Sequence, residues 1–209
     1  MWPIWLRRTA SLIVAGSPRV GVLALQGDVR EHVQVLTELG ADVLLVRREA
    51  DLARVDGLVL PGGESSVIDK LSRTFGLREP IRDAIAAGMP VYGTCAGMIL
   101  LADRIVDGID GQRTFGGLDI VVRRNAFGGQ VESFETDLAV PVLGDAPVRA
   151  VFIRAPVVEQ IGPRAQPIAA LDDGRVVAVE QGALMATSFH PEMSGEGRFH
   201  RRFLDIVTA

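Results

Sequence analysis

The stretch that most constrains the fold of this chain is Gly93-Thr94-Cys95-Ala96-Gly97, set between two apolar runs. Met89-Pro90-Val91-Tyr92 leads in with strand character, and Met98-Ile99-Leu100-Leu101-Ala102 leads out as a helix former. A strand, a sharp turn and a helix in that order belong to an α/β fold, and the turn projects its central side chain from the top of a sheet. Glycines on both sides of the cysteine relieve the crowding of such a turn. A helix that starts just after the sulfur aims free N–H groups and the positive end of its dipole at it, which favours thiolate. A lone cysteine is, however, usually a small buried hydrophobe. Taken alone, the pattern divides evenly between packing and chemistry.

Two further strings weigh against simple packing. Pro61-Gly62-Gly63-Glu64-Ser65 follows the apolar run Gly57-Leu58-Val59-Leu60. It is a second glycine turn at a strand end, able to present backbone N–H groups to an oxyanion. Phe189-His190-Pro191-Glu192 supplies a base and a carboxylate. Pro191 has a fixed φ and keeps His190 out of helical geometry, so the segment is stiff. That stiffness lets Glu192 reach the neighbouring ring and set its tautomer; Glu192 reads equally well as a surface residue or a cap of the last helix. Cysteine, histidine and carboxylate together suggest acyl transfer through a thioester. The chain has three histidines. His32 is expected near the polar face of the first helix, and His200 in solvent among Arg198, Arg201 and Arg202. His190 emerges at a strand end and is the expected base.

The first half alternates strands and helices. Residues 20–25 form an apolar run without alternation, as in a parallel sheet covered on both faces. Asp28 is placed to cap a helix over 29–39, which Gly40 ends. Strands are expected at 43–46, 56–60 and 90–94, with helices at about 66–71 and 80–87. The second half gives strand candidates at 118–122, 130–135, 148–153, 168–171, 176–180 and 184–189, separated by Gly, Pro and Asp signals. Asp172-Asp173-Gly174 and Gln181-Gly182 read as hairpin turns. An amphipathic helix over about 196–207 closes the chain.

A length of 209 residues suits one α/β domain. A formal net charge of −4 with 5% aromatics leaves no basic, aromatic-studded stripe for nucleic acid. One cysteine excludes an internal disulfide framework and suits a reducing cytoplasm. There is no zinc-spaced Cys/His cluster, so no metal or cofactor is expected, and no apolar stretch is long enough to span a bilayer. Arg7 and Arg8 before an apolar run imitate a secretory signal, but Trp2 and Trp5 precede the charges and the run is short. Residues 1–18 are therefore expected to be a disordered extension, initiation near Val14 being an alternative, and residues 19–209 the domain.

Gly-x-Cys-x-Gly with His-x-Glu on an α/β chain resembles the class I (triad) glutamine amidotransferases. Leu23-Ala24-Leu25-Gln26-Gly27-Asp28, Arg124-Asn125-Ala126-Phe127-Gly128, Ser133-Phe134-Glu135 and Phe152-Ile153-Arg154-Ala155-Pro156 narrow the resemblance to the glutaminase subunits of pyridoxal 5′-phosphate synthase. It runs from about Val20 to the C-terminus. Gly129 departs from the pattern, standing where many relatives carry Arg.

The resemblance implies a three-layer α/β fold of flavodoxin-like type: a mostly parallel open sheet, helices on both faces, and antiparallel strands in the C-terminal half. It implies hydrolysis of L-glutamine to glutamate and ammonia, with Cys95 as nucleophile, His190 as base and Glu192 as its orienter. Oxyanion donors would be the N–H groups of Gly63 and Ala96. Glutamine would lie near Gly63, Glu64, Ser65, Arg124, Ile153 and Arg154; an arginine can grip its α-carboxylate bidentately, and Arg123 reads as a solvated neighbour. The implied partner is the (β/α)8-barrel pyridoxal 5′-phosphate synthase subunit, which accepts the ammonia and completes the oxyanion hole of a poorly active free subunit. The glutaminase of histidine biosynthesis is the alternative, a cysteine hydrolase acting alone a third reading, and a degenerate scaffold the non-enzyme reading.

Overall fold

The apolar runs become neighbours in one sheet. The computed structural model describes residues 16–124 and 133–209. Its first half contains β1 (Arg19–Leu23), α1 (Val29–Glu38), β2 (Asp42–Val46), α2 (Glu49–Leu52), β3 (Gly57–Leu60), α3 (Ser65–Thr74), α4 (Arg78–Ala86), β4 (Val91–Thr94) and α5 (Ala96–Leu101). The second half adds β5 (Ala102–Val106), β6 (Leu118–Arg123), β7 (Ser133–Leu138), β8 (Val148–Ile153), β9 (Val157–Ile161), β10 (Gln166–Ala170), β11 (Val176–Gln181), β12 (Leu184–Thr187) and α6 (Arg198–Val207).

The main sheet runs β2-β1-β3-β4-β12-β11-β9-β6-β5, with β10 beside β11. From β2 to β12 every pairing is parallel, the flavodoxin-like order. Beyond β12 the pairings turn antiparallel up to β6, and β5 returns parallel to β6. A separate hairpin pairs β7 with β8. Both expected tight turns are present, joining β10 to β11 and β11 to β12.

Strand side chains alternate between faces, and the two cores follow that rule. Leu58, Leu60, Val91, Leu184 and Ala186 pack on one face with α2 to α5. Val59, Tyr92 and Met185 pack on the other with α1, α6 and the β7–β8 hairpin. The result is the expected three layers. The C-terminal ends of β1, β3, β4 and β12 meet along one edge, where loops of open α/β sheets bind ligands.

Three elements depart from the sequence reading. The apolar run after Cys95 is helical only to Leu101; Ala102 turns to extended backbone and starts β5. Strand β9 and the single-turn helix α2 were not expected. The expected extension 1–18 lies outside the described residues except for Gly16 to Pro18. So do residues 125–132, with Gly129 and the first half of the expected strand 130–135.

Candidate active site

Cys95 sits at the junction of β4 and α5 with φ 47° and ψ −100°, a sparsely populated conformation that only tight surroundings maintain. Its N–H is held by the carbonyl of Thr187 at the end of β12, at 2.8 Å. The flanking glycines act by close approach. A Cβ on Gly97 would stand 2.1 Å from the carbonyl oxygen of Leu60, and one on Gly93 would stand 2.5 Å from the carbonyl carbon of Gly97. Helix α5 is thereby pressed onto β3 and β4, and the sulfur is fixed at the sheet edge.

His190 follows β12 and is nearly buried. Its Nδ1 lies 2.9 Å from Glu192 Oε1, and the Cys95 side chain acts on the ring. Glu192 is thus a buried partner of the ring, not a surface residue or a helix cap. Burial disfavours the imidazolium, but hydrogen bonds to Asp28, Cys95 and Glu192 and the charge on Cys95 outweigh it and raise the His190 pKa to about 12. Burial pushes the Glu192 carboxyl up, offset in part by its bond to His190.

Two histidines are not where the sequence suggested. His32 and His200 are both fully buried. His32 Nδ1 lies 2.9 Å from His200 Nε2, and His32 Nε2 lies 3.0 Å from Thr94 Oγ1 and 3.5 Å from Glu192 Oε1. Burial first, then the charges of His200 and His190, hold the His32 pKa well below its usual value. Burial likewise lowers His200 to about 4, against the raising effect of Glu196. One neutral imidazole, His32, therefore backs the Glu192 carboxylate, and a second, His200, backs His32. Asp28 also departs from expectation: it stands before α1 but its side chain makes no capping bond, turning to His190.

A cleft of about 60 Å³ is lined by Gly63, Glu64, Ser65, Cys95, Ile99, Arg124, Ile153 and Arg154. Every residue expected near glutamine is thus beside the sulfur. Arg124 is buried and reaches Glu64 Oε1 and Gln112 Oε1, each at 2.7 Å. Gln112 Nε2 in turn donates to Ser65 Oγ at 2.9 Å. Gln112 was not singled out by sequence, because it sits in a Gly- and Asp-rich loop without a motif. The neighbouring Arg123 is partly exposed and pairs with Asp107 and Glu159, away from the cleft. Ligand pockets commonly enclose about 300 Å³ or more, so the cleft is narrow here, with the Glu64–Arg124 pair lining it. A larger groove of about 670 Å³ lies between Arg78, Arg82 and the loop 108–117. It is open and polar and lacks Cys95, which lines the smaller cleft, so the chemistry is assigned there.

Asp28, His190 and Glu192 converge closely enough to be considered as metal ligands. Nδ1 of His190 is instead hydrogen-bonded to Glu192 Oε1, with Asp28 Oδ2 3.2 Å away.

Comparison with known proteins places the chain in a family. The profile of the SNO glutamine amidotransferase family matches residues 22–209. The chain is 69% identical over 191 residues to the pyridoxal 5′-phosphate synthase subunit PdxT of Leifsonia xyli subsp. xyli, covering 91% of this chain and 96% of that one. It is 67% identical over 190 residues to the subunit of the same name from Clavibacter michiganensis subsp. michiganensis, covering 91% of each. A crystal structure described as a glutamine amidotransferase superposes with a TM-score of 0.85 at 46% identity, covering 91% of this chain and 99% of that one.

Proposed function

The chain belongs to the SNO glutamine amidotransferase family, and from that premise we propose how its cleft works. It is the glutaminase subunit of pyridoxal 5′-phosphate synthase and acts with a synthase partner. We read residues 19–209 as one amidotransferase domain whose reaction runs through Cys95, His190 and Glu192. The observation that supports this reading is Cys95 lining a cleft at the C-terminal edge of the parallel strands, with the buried His190–Glu192 pair at the end of the neighbouring β12.

Glutamine enters with its carboxamide carbon over Sγ. Arg124 or Arg154 takes the α-carboxylate, and Glu64 or the Ile153 carbonyl takes the α-ammonium. The Cys95 thiolate attacks the carboxamide carbon, and the resulting oxyanion is met by the N–H groups of Gly63 and Ala96. The His190 imidazolium gives its proton to the departing nitrogen, and ammonia leaves a thioester behind. His190, now neutral, takes a proton from water, whose oxygen adds to the thioester. Collapse expels the thiolate and yields glutamate, with the acid proton passing to solvent. Glu192 holds the imidazole in the tautomer that presents Nε2 to the sulfur.

The acceptor is, in this reading, the (β/α)8-barrel synthase, in the cytoplasm, where Cys95 stays reduced. Cys95→Ala is expected to abolish glutamate release, because without the sulfur no thioester forms. It should still copurify with the barrel synthase, and the wild-type pair should form pyridoxal phosphate from glutamine. Wild-type glutaminase turnover by Cys95→Ala would remove the assignment.

A further inference from the structure

A carboxylate just before a helix ordinarily accepts hydrogen bonds from the first free N–H groups. Asp28, just before α1, makes no such bond. Its Oδ2 lies 3.2 Å from His190 Nδ1, the same nitrogen that Glu192 Oε1 approaches to 2.9 Å. The Asp28 side chain is 33% exposed, whereas that of Glu192 is fully buried. The imidazole is therefore held by one carboxylate from the interior and one from the rim. The backbone of Asp28 has a second task. Its N–H donates to the carbonyl of Gly62 at 3.1 Å. A trans peptide aims its C=O and the following N–H in opposite directions, so this bond sets where the Gly63 N–H points. There is no room to spare between these groups: a Cβ on Gly62 would stand 2.4 Å from His190 Cε1 and 2.6 Å from Asp28 Oδ2.

We infer that Asp28 is a positioning residue with two arms: its carboxylate shares the Nδ1 proton of His190 with Glu192, and its backbone N–H orients the turn that carries the oxyanion donor Gly63. The inference rests on the reading of His190 as the base. Glu192 takes the hydrogen bond from Nδ1 and the Asp28 carboxylate lies 3.2 Å from the same nitrogen, and their combined charge stabilises the imidazolium that protonates the departing ammonia. Cys95 faces the same ring. His32 lies 3.5 Å from Glu192 Oε1 and Tyr92 feels the charge of Glu192, and His200 and Glu196 lie beyond His32.

Three histidines are few enough for each imidazole to be followed by ¹⁵N NMR in the labelled free chain. His190 should stay protonated well into the alkaline range. Asp28→Asn should lower its titration midpoint by about one pH unit, Glu192→Gln by at least as much, and the double variant by more than either. Asp28→Ser, which restores a helix cap, should behave like Asp28→Asn, because the effect comes from the lost charge. A His190 midpoint unchanged in both Asp28 variants overturns the inference. With the synthase present, the double variant should lose more kcat for glutamine than the product of the two single losses, since each carboxylate covers for the other. Losses that simply multiply overturn the shared role. The titration reads the contact whether or not glutamine is hydrolysed, so a failure of the glutaminase reading is told apart from a failure of this one.

Discussion

Replacing His190 removes the group that both gives and takes the proton, whereas replacing Glu192 leaves that group in place with a second carboxylate 3.2 Å away on Asp28. His190→Asn should therefore cost about 10²–10⁴-fold in kcat, and Glu192→Ala should retain at least about ten times the activity of that variant. Steady-state glutamate release with the synthase present measures both, and a Glu192→Ala variant as inactive as His190→Asn would contradict the ranking. Cys95, His190 and Glu192 were legible because each sits in a short string whose turn chemistry is local. His32 and His200 were misplaced because burial of a helical histidine is decided by what packs on it. Glu31 beside one, and Arg198, Arg201 and Arg202 around the other, suggested solvent. The signal was present nonetheless. His32 lies three residues after Val29 and four before Leu36, and His200 is three before Phe203 and four before Leu204, on the apolar faces.

At the scale of elements, the nucleophile turn depends on how closely α5 lies on β3. Gly97→Ala places a methyl 2.1 Å from the Leu60 carbonyl oxygen, and backbone cannot yield as a side-chain tip can. The helix must lift, at a cost of about 1–3 kcal/mol or more, and the sulfur must move with it. Urea unfolding should show a lower midpoint, and glutaminase activity should fall further than stability alone explains. A fully stable Gly97→Ala would mean that the approach is looser than described. Strands β1, β3 and β4 were legible because they are apolar on both faces and end at glycine or aspartate turns. Strand β5 was hidden because it starts at the residue after α5, with no Gly or Pro between them, and carries Asp103 and Arg104 outward at the sheet edge. Strand β9 follows Pro156 directly and carries Glu159 and Gln160, so its alternation is too short to register. The four residues of α2 fall below the length at which helical spacing can be read.

At the scale of the whole molecule, the buried histidines make folding sensitive to acid. The pKa values of His32 and His200 are lowered in the folded state, so below about pH 6.5 the unfolded chain binds more protons. Stability must then fall with pH, by up to about 1.4 kcal/mol per pH unit for each group, until His200 itself titrates near 4. His190 acts in another window: its raised pKa means that its contribution is lost only as pH rises towards about 12. Glu192, raised by burial, works against the acid loss. Urea midpoints between pH 7 and 5 should decline, and His200→Gln should flatten the slope; an unchanged slope would remove His200 from the account. The same architecture places Gly27 and Gly63 together on the surface around Cys95, where a docked synthase can touch both loops. Gly63, with φ +145°, lies in a backbone region open to glycine and costly for other residues, so its N–H can be redirected without moving a side chain. An oxyanion donor completed by the partner acts on the transition state and not on substrate binding, and one such donor is worth about 10²–10³ in kcat. Glutamate release by the free subunit at saturating glutamine should accordingly be low and should rise by about that factor as synthase is titrated in, with KM little changed. Equal rates with and without the synthase would show that the oxyanion hole is complete in the free chain, and would leave Cys95, His190 and Glu192 in their roles.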